Sequence, residues 1–178
     1  MDAQGHAIVS DYHRTMPEEA SGKTGVPSEK RQKPARPRDR LGRPLAWEAK
    51  PELHLPDFDA MNIEENHEAG RRFMRDRNFF AAHEAWETAW KQARGTGDEE
   101  LFKGLSQMGA GYVHLLRGNR HGAITLLRRG ARRIGGYPDG SRGVGTVALA
   151  AQLERDAAAV EDGSLVPGED ATFEVPSV

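Results

Sequence analysis

The chain has 178 residues, 37% of them apolar, a net charge of −2 and no cysteine. That length holds one ordinary domain plus tails, and the missing thiols exclude disulfides, thiolate metal sites and cysteine nucleophiles. No run approaches the roughly 18 consecutive apolar residues of a membrane span. Residues 1–10 lack a signal-peptide core, so a cytoplasmic protein with no membrane partner is expected.

The small net charge hides blocks. Seven cationic residues and no acid lie between Glu100 and Asp139, whereas 51–100 and 139–178 are acidic. Such asymmetry marks either an anionic partner or the basic side of one helix answering the acidic side of another. The second is the simpler expectation, with the basic fourth helix exposed to solvent or paired with the acidic first helix.

Residues 1–57 show no helical or strand periodicity and are rich in Gly, Pro, Ser and charge, which predicts a disordered or extended arm. Its most organised part is the run from Arg36 to Leu45, where alternating prolines forbid helix. That run is expected to lie on the domain as an extended strip, with Leu41, Leu45 and Trp47 as anchors. Ser21-Gly22-Lys23-Thr24 imitates the end of a phosphate-binding loop. The position that must be glycine is Pro17, so the motif is rejected.

Helical signals begin near Asp59, a candidate N-cap, with Ile63, His67, Gly70, Phe73 and Met74 on one stripe that Arg77-Asn78 breaks. A second helix is predicted over 79–94, carrying Phe79, Phe80, His83, Trp86, Glu87 and Trp90 on one side. Thr96 and Glu99 have capping-box spacing before a third helix that runs to Arg117, where Gly118 suits a left-handed C-terminal position. Asn119 caps a fourth helix, and 135–140 is turn chemistry. A weaker fifth helix spans 144–160, and an acidic tail over 162–178 is expected to be disordered. Short connections between consecutive helices favour a compact all-α bundle, with the helical domain at 58–161.

The third helix carries Gly104, Gln107, Gly111, His114 and Gly118 at spacings of three and four, one seam along which another backbone can approach closely. His83, Glu84 and Glu87 share a side of the second helix. Polar groups among so many aromatics need partners, because an unsatisfied buried group costs about 1–3 kcal/mol. The economical expectation pairs His83 and Glu87 with Gln107 and His114 in a buried polar cluster.

At these residues the sequence resembles the bacterial domain of unknown function 309 family. The resemblance runs through Phe73, the segment from Phe79 to Glu87, Trp90, Gly104-Leu105-Ser106-Gln107, His114, Gly118-Asn119 and Gly122-Ala123, with an upstream strip at Arg36–Pro44 like that of some members. Where the family often has glutamate before Ala-His-Glu, this chain has Ala81. The resemblance implies a helical fold and supplies no activity.

Three functions follow as expectations. The first is a non-enzymatic binding or interaction module, with a protein partner or a second copy as ligand, built around His83, Glu84, Glu87, Trp90, Gln107, His114 and Asn119. The second is a metal-dependent hydrolase in which His83, Glu87 and His114 hold a divalent metal, since imidazole and carboxylate four apart on a helix can share one ion. It is not the His-Glu-x-x-His pattern of zinc proteases, because Glu87 stands where the second histidine would be. The third is an anionic partner on the Arg-rich fourth helix, where the lack of any nucleic-acid motif speaks against nucleic acid. Trp86 and Trp90 read as core, His67 as a satisfied core histidine and His121 as exposed.

Overall fold

A computed structural model describes residues 36–178; the Ser21-Gly22-Lys23-Thr24 run and most of the expected arm lie outside the described residues. Five helices follow one another: α1 (Ile63–Arg75), α2 (Phe79–Gln92), α3 (Glu99–Leu116), α4 (Arg120–Ile134) and α5 (Thr146–Asp162). Single 3-10 turns at Phe58–Ala60 and Ser141–Gly143 complete the set, and the described residues contain no strand.

Local chemistry sets most of the boundaries. Asn62, not Asp59, caps α1: its Oδ1 accepts from the N–H groups of Glu64 (2.9 Å) and Glu65 (3.0 Å), and Glu65 Oε2 accepts from Asn62 N (2.8 Å). This reciprocal box satisfies donors that the first turn cannot pair and is worth about 1 kcal/mol. Asp59 falls instead within the preceding 3-10 turn. The box expected from Thr96 and Glu99 does not form. Thr96 Oγ1 donates to Ala93 O (2.7 Å) and the Glu99 carboxylate reaches Gly95 N (2.9 Å), so both residues close the turn rather than cap α3. Asn78 caps α2 and Asn119 caps α4, while Gly118 at φ +76° ends α3 in the left-handed region.

Each helix packs chiefly on its neighbours in sequence, with α3 between α2 and α4. The core runs through Phe79, Trp86, Phe102, Leu105, Met108, Tyr112, Leu127 and Leu153. Two missing β-carbons decide how α3 is flanked. A Cβ on Gly111 would lie 2.8 Å from Leu127 of α4, and one on Gly109 would lie 2.9 Å from the main-chain nitrogen of His83 in α2. The two neighbours therefore press on different sides of α3.

Residues 36–57 form no helix and turn at Arg40–Leu41 and Trp47–Glu48, with one isolated bridge between Arg38 and Pro44. Leu41 is the buried anchor, held where Arg117 Nε donates to its carbonyl (3.1 Å). Leu45 is half-buried, and Trp47, expected to anchor the strip, is exposed. Asp39 organises the turn by accepting from Leu41 N (3.0 Å) and Arg43 N (2.7 Å).

The expected disorder of the acidic tail is a correction. Phe173 stacks on Tyr112 at 5.0 Å, sits 5.7 Å from Phe79 and lies under the Arg77 guanidinium at 4.6 Å. Gly168 N donates to Leu115 O (2.9 Å), and Glu169 pairs with Arg43 (2.6 Å) and Arg40 (3.2 Å). One aromatic side chain with a ready slot outweighs the charge of its neighbours. The pairing of α4 with an acidic first helix is also corrected. Arg128 meets Glu161 of α5 and Arg133 meets Glu100 of α3, while Glu68 of α1 pairs within its own helix.

Candidate functional site

His83, Glu84 and Glu87 lie on one edge of α2, half-buried, because positions i, i+1 and i+4 of a helix fall within about 100° of one another. Their ligand atoms all lie within 4.8 Å of one another. His83 Nε2 is 3.9 Å from Glu84 Oε1 and 3.7 Å from Glu87 Oε2, too far for hydrogen bonds. The second carboxylate oxygen of Glu87 is held by Lys91 Nζ at 3.1 Å, one turn further along the helix.

The other side of the imidazole faces α3. His83 Nδ1 is 3.1 Å from the Ser106 carbonyl oxygen and 3.0 Å from its hydroxyl. A carbonyl can only accept, so the neutral tautomer that bonds it carries its proton on Nδ1 and turns the Nε2 lone pair outward. Three acceptor atoms then face one another with no donor between them. Phe80 meets the imidazole edge-on at 6.2 Å and is itself covered by the strip, where a Cβ on Gly42 would lie 2.2 Å from the Phe80 ring.

The remaining residues singled out in the sequence are elsewhere. Gln107 Oε1 accepts from Arg133 of α4 (3.1 Å), and His114 Nδ1 accepts from the Asn119 side-chain amide (2.8 Å), so the expected pairing of His83 and Glu87 with Gln107 and His114 does not form. The reason is rotational. Gln107 and His114 lie on the side of α3 that α4 covers, whereas Ser106 and Gly109 lie on the side that α2 covers. His114 is close enough to Arg117 to feel its charge, and to His83 to feel a charge whenever that ring is protonated. Burial first, then those charges, holds its pKa below the ordinary imidazole range. Trp90 stands apart, with Lys103 Nζ 4.8 Å from its ring centre.

Residues 67–126 match the family model described as domain of unknown function (DUF309). Over this helical stretch the chain is similar to that family. The match runs from within α1 to within α4 and contains His83, Glu84, Glu87, Ser106 and His114. No curated protein and no solved structure matches the chain.

Two contributors to the site, Ser106 and Gly109, lie off the stripe that Gln107 and His114 share. Ser106 was passed over for its neighbour Gln107, and Gly109 for the glycines at 104 and 111. A signal for both existed, since Phe102, Ser106, Gly109 and Val113 form a second stripe at spacings of four, three and four. By contrast His67 is the core histidine that its stripe predicted. Its Nδ1 accepts from Trp86 Nε1 (3.1 Å) and its Nε2–H donates to Arg142 O (3.0 Å). No helix among the described residues is long and apolar enough to cross a membrane.

Proposed function

We propose that this helical domain is a binding module whose ligand is a divalent first-row metal ion held by His83, Glu84 and Glu87. The observation that carries the reading is the set of three facing acceptors, with Nδ1 of His83 committed to Ser106 and Nε2 left open. A metal-bound histidine characteristically donates its other ring N–H to a main-chain carbonyl, which fixes the tautomer and aims the lone pair. Ligands at about 2.0–2.2 Å from an ion lie about 3–3.6 Å from one another, so the three atoms need only close by about an ångström. One imidazole with two carboxylates suits zinc, manganese or iron better than magnesium or calcium, which favour all-oxygen shells.

Side chains that are 25% to 34% exposed leave the outer positions of such an ion open to water or to a ligand group. A binding role is better supported than hydrolysis with His114 as third ligand, since Nδ1 of His114 is taken up by Asn119. Calorimetric titration of the metal-free protein with Zn2+ or Mn2+, alongside His83→Ala and Glu84→Gln/Glu87→Gln, tests the reading. One equivalent should bind the parent, and both variants should lose it. Equal binding by parent and variants, or none by the parent, would end the proposal.

A further inference from the structure

The outward side of α4 carries charge that the metal site does not use. His121, Thr125, Arg128 and Arg132 recur at spacings of four, three and four, a stripe about 16 Å long on a helix rising 1.5 Å per residue. Ala123, Leu127, Ala131 and Ile134 bury the opposite side. Together with Arg120, Ile124, Arg129 and the end of α5 at Glu161, the stripe lines a groove of about 550 Å3.

Two of its arginines are occupied, and what occupies them is informative. Arg128 grips the Glu161 carboxylate with both terminal nitrogens (3.1 and 2.6 Å), and Arg120 donates to the main-chain carbonyls of Val160 (3.1 Å) and Glu161. The groove thus already holds the acidic end of a helix, through a carboxylate and through main-chain oxygens. His121, Arg129 and Arg132 are exposed and make no ion pair or side-chain hydrogen bond among the described residues. No acid on α4 itself answers them, because the chain has none between Glu100 and Asp139.

We propose that this groove docks an acidic segment of another protein chain, whose carboxylates extend the row begun by Glu161 and are received by Arg129, Arg132 and His121. Guanidinium groups bind carboxylates in a planar two-bond fork, and Arg128 displays that geometry within this chain. A nucleic-acid strand fits less well, because the groove has no Phe, Tyr or Trp ring to stack a base. A lipid surface fits less well again, since the large exposed apolar residues, Trp47, Leu55, Val147 and Val166, all lie off α4.

The test is fluorescence anisotropy with three labelled probes: poly-L-glutamate, an oligouridylate, and vesicles containing phosphatidylserine. Parent protein should bind poly-L-glutamate with an affinity that falls as salt is raised. Arg129→Ala/Arg132→Ala should bind it about tenfold more weakly at unchanged melting temperature. Arg129→Gln/Arg132→Gln serves as a second variant if the alanine pair melts early. Failure of poly-L-glutamate to bind, equal binding by a folded double variant, or tighter binding of the RNA or the vesicles would each overturn the proposal. The metal-site variants should bind poly-L-glutamate as the parent does.

Discussion

The two sides of α2 each hold a histidine against a neighbouring helix, and they treat it in opposite ways. On the inner side His67 of α1 is buried with both ring nitrogens engaged, one by the Trp86 indole and one by the Arg142 carbonyl. On the outer side His83 has one nitrogen engaged by Ser106 and the other facing two carboxylates that it does not bond. A closed set of donors and acceptors fixes packing. A half-exposed set of acceptors whose neighbouring cation, Lys91, reaches only the far oxygen of Glu87 leaves room for an added ion, and on the proposed reading that difference separates the core histidine from the ligand-binding one.

The contrast breaks most severely at Trp86, which is fully buried and shared between the core and His67. Trp86→Ala should cost about 3–5 kcal/mol in urea denaturation, from the cavity and from the lost donor to His67. His83→Ala should cost about 1 kcal/mol or less in metal-free buffer. Equal losses would mean that the outer edge is as structural as the inner side.

Next in size is Gly109, where the two helices touch. A methyl group there would meet the main chain of His83, which cannot swing aside as a side-chain tip can. Gly109→Ala should therefore lower stability by about 1–3 kcal/mol and weaken metal binding by tilting His83 away from Ser106. A variant that loses stability and keeps full metal affinity would show that the site does not depend on this contact.

The fold was largely legible because its signals are local. Asn78, Gly118 and Asn119 punctuate the chain at the helix ends, and the apolar spacing between them has one period. What failed needed long-range knowledge. Asp59 and Asn62 are both reasonable caps, and only the reciprocal bond from Glu65 decides between them. Glycines at 104, 109 and 111 lie on different sides of α3, and nothing along the chain says which side α2 will take. The tail departs from that expectation because average charge conceals a single Phe173 that fits a slot made by residues 61 or more positions away. The same limit applies to the site: three residues on one turn of α2 come together by helix geometry alone, whereas Ser106 joins them only once α2 and α3 are packed.

Acid should sharpen the comparison further. Burial holds His67 below the ordinary imidazole range, and the nearby Arg71 charge adds to this, against the opposing effect of its bond to Arg142. The folded state therefore disfavours the proton that the unfolded chain accepts near pH 6.5. Its contribution is fully present above that pH and is lost as pH falls towards the lowered folded value. The slope for one proton is at most about 1.4 kcal/mol per pH unit. His67→Gln, whose amide can accept from Trp86 and donate to Arg142 O, should flatten the fall between neutrality and pH 5. If parent and variant fall in parallel, the acid sensitivity lies elsewhere, with His114 the first alternative.

The smallest effect is the most diagnostic. Glu84 bonds no other side chain strongly, and its carboxylate stands near that of Glu87. Without metal, Glu84→Gln removes one of two like charges and forfeits no hydrogen bond, so its stability should stay within about 0.5 kcal/mol of the parent. With metal the comparison reverses. An ion that binds only the folded chain stabilises it by about 2.7 kcal/mol at a hundred times its dissociation constant, and a variant lacking one ligand gains less. Melting curves of parent and Glu84→Gln should therefore coincide in chelator and separate as Zn2+ is added. Curves that coincide throughout would return the outer edge to the same category as the inner one, a set of side chains that serves packing alone.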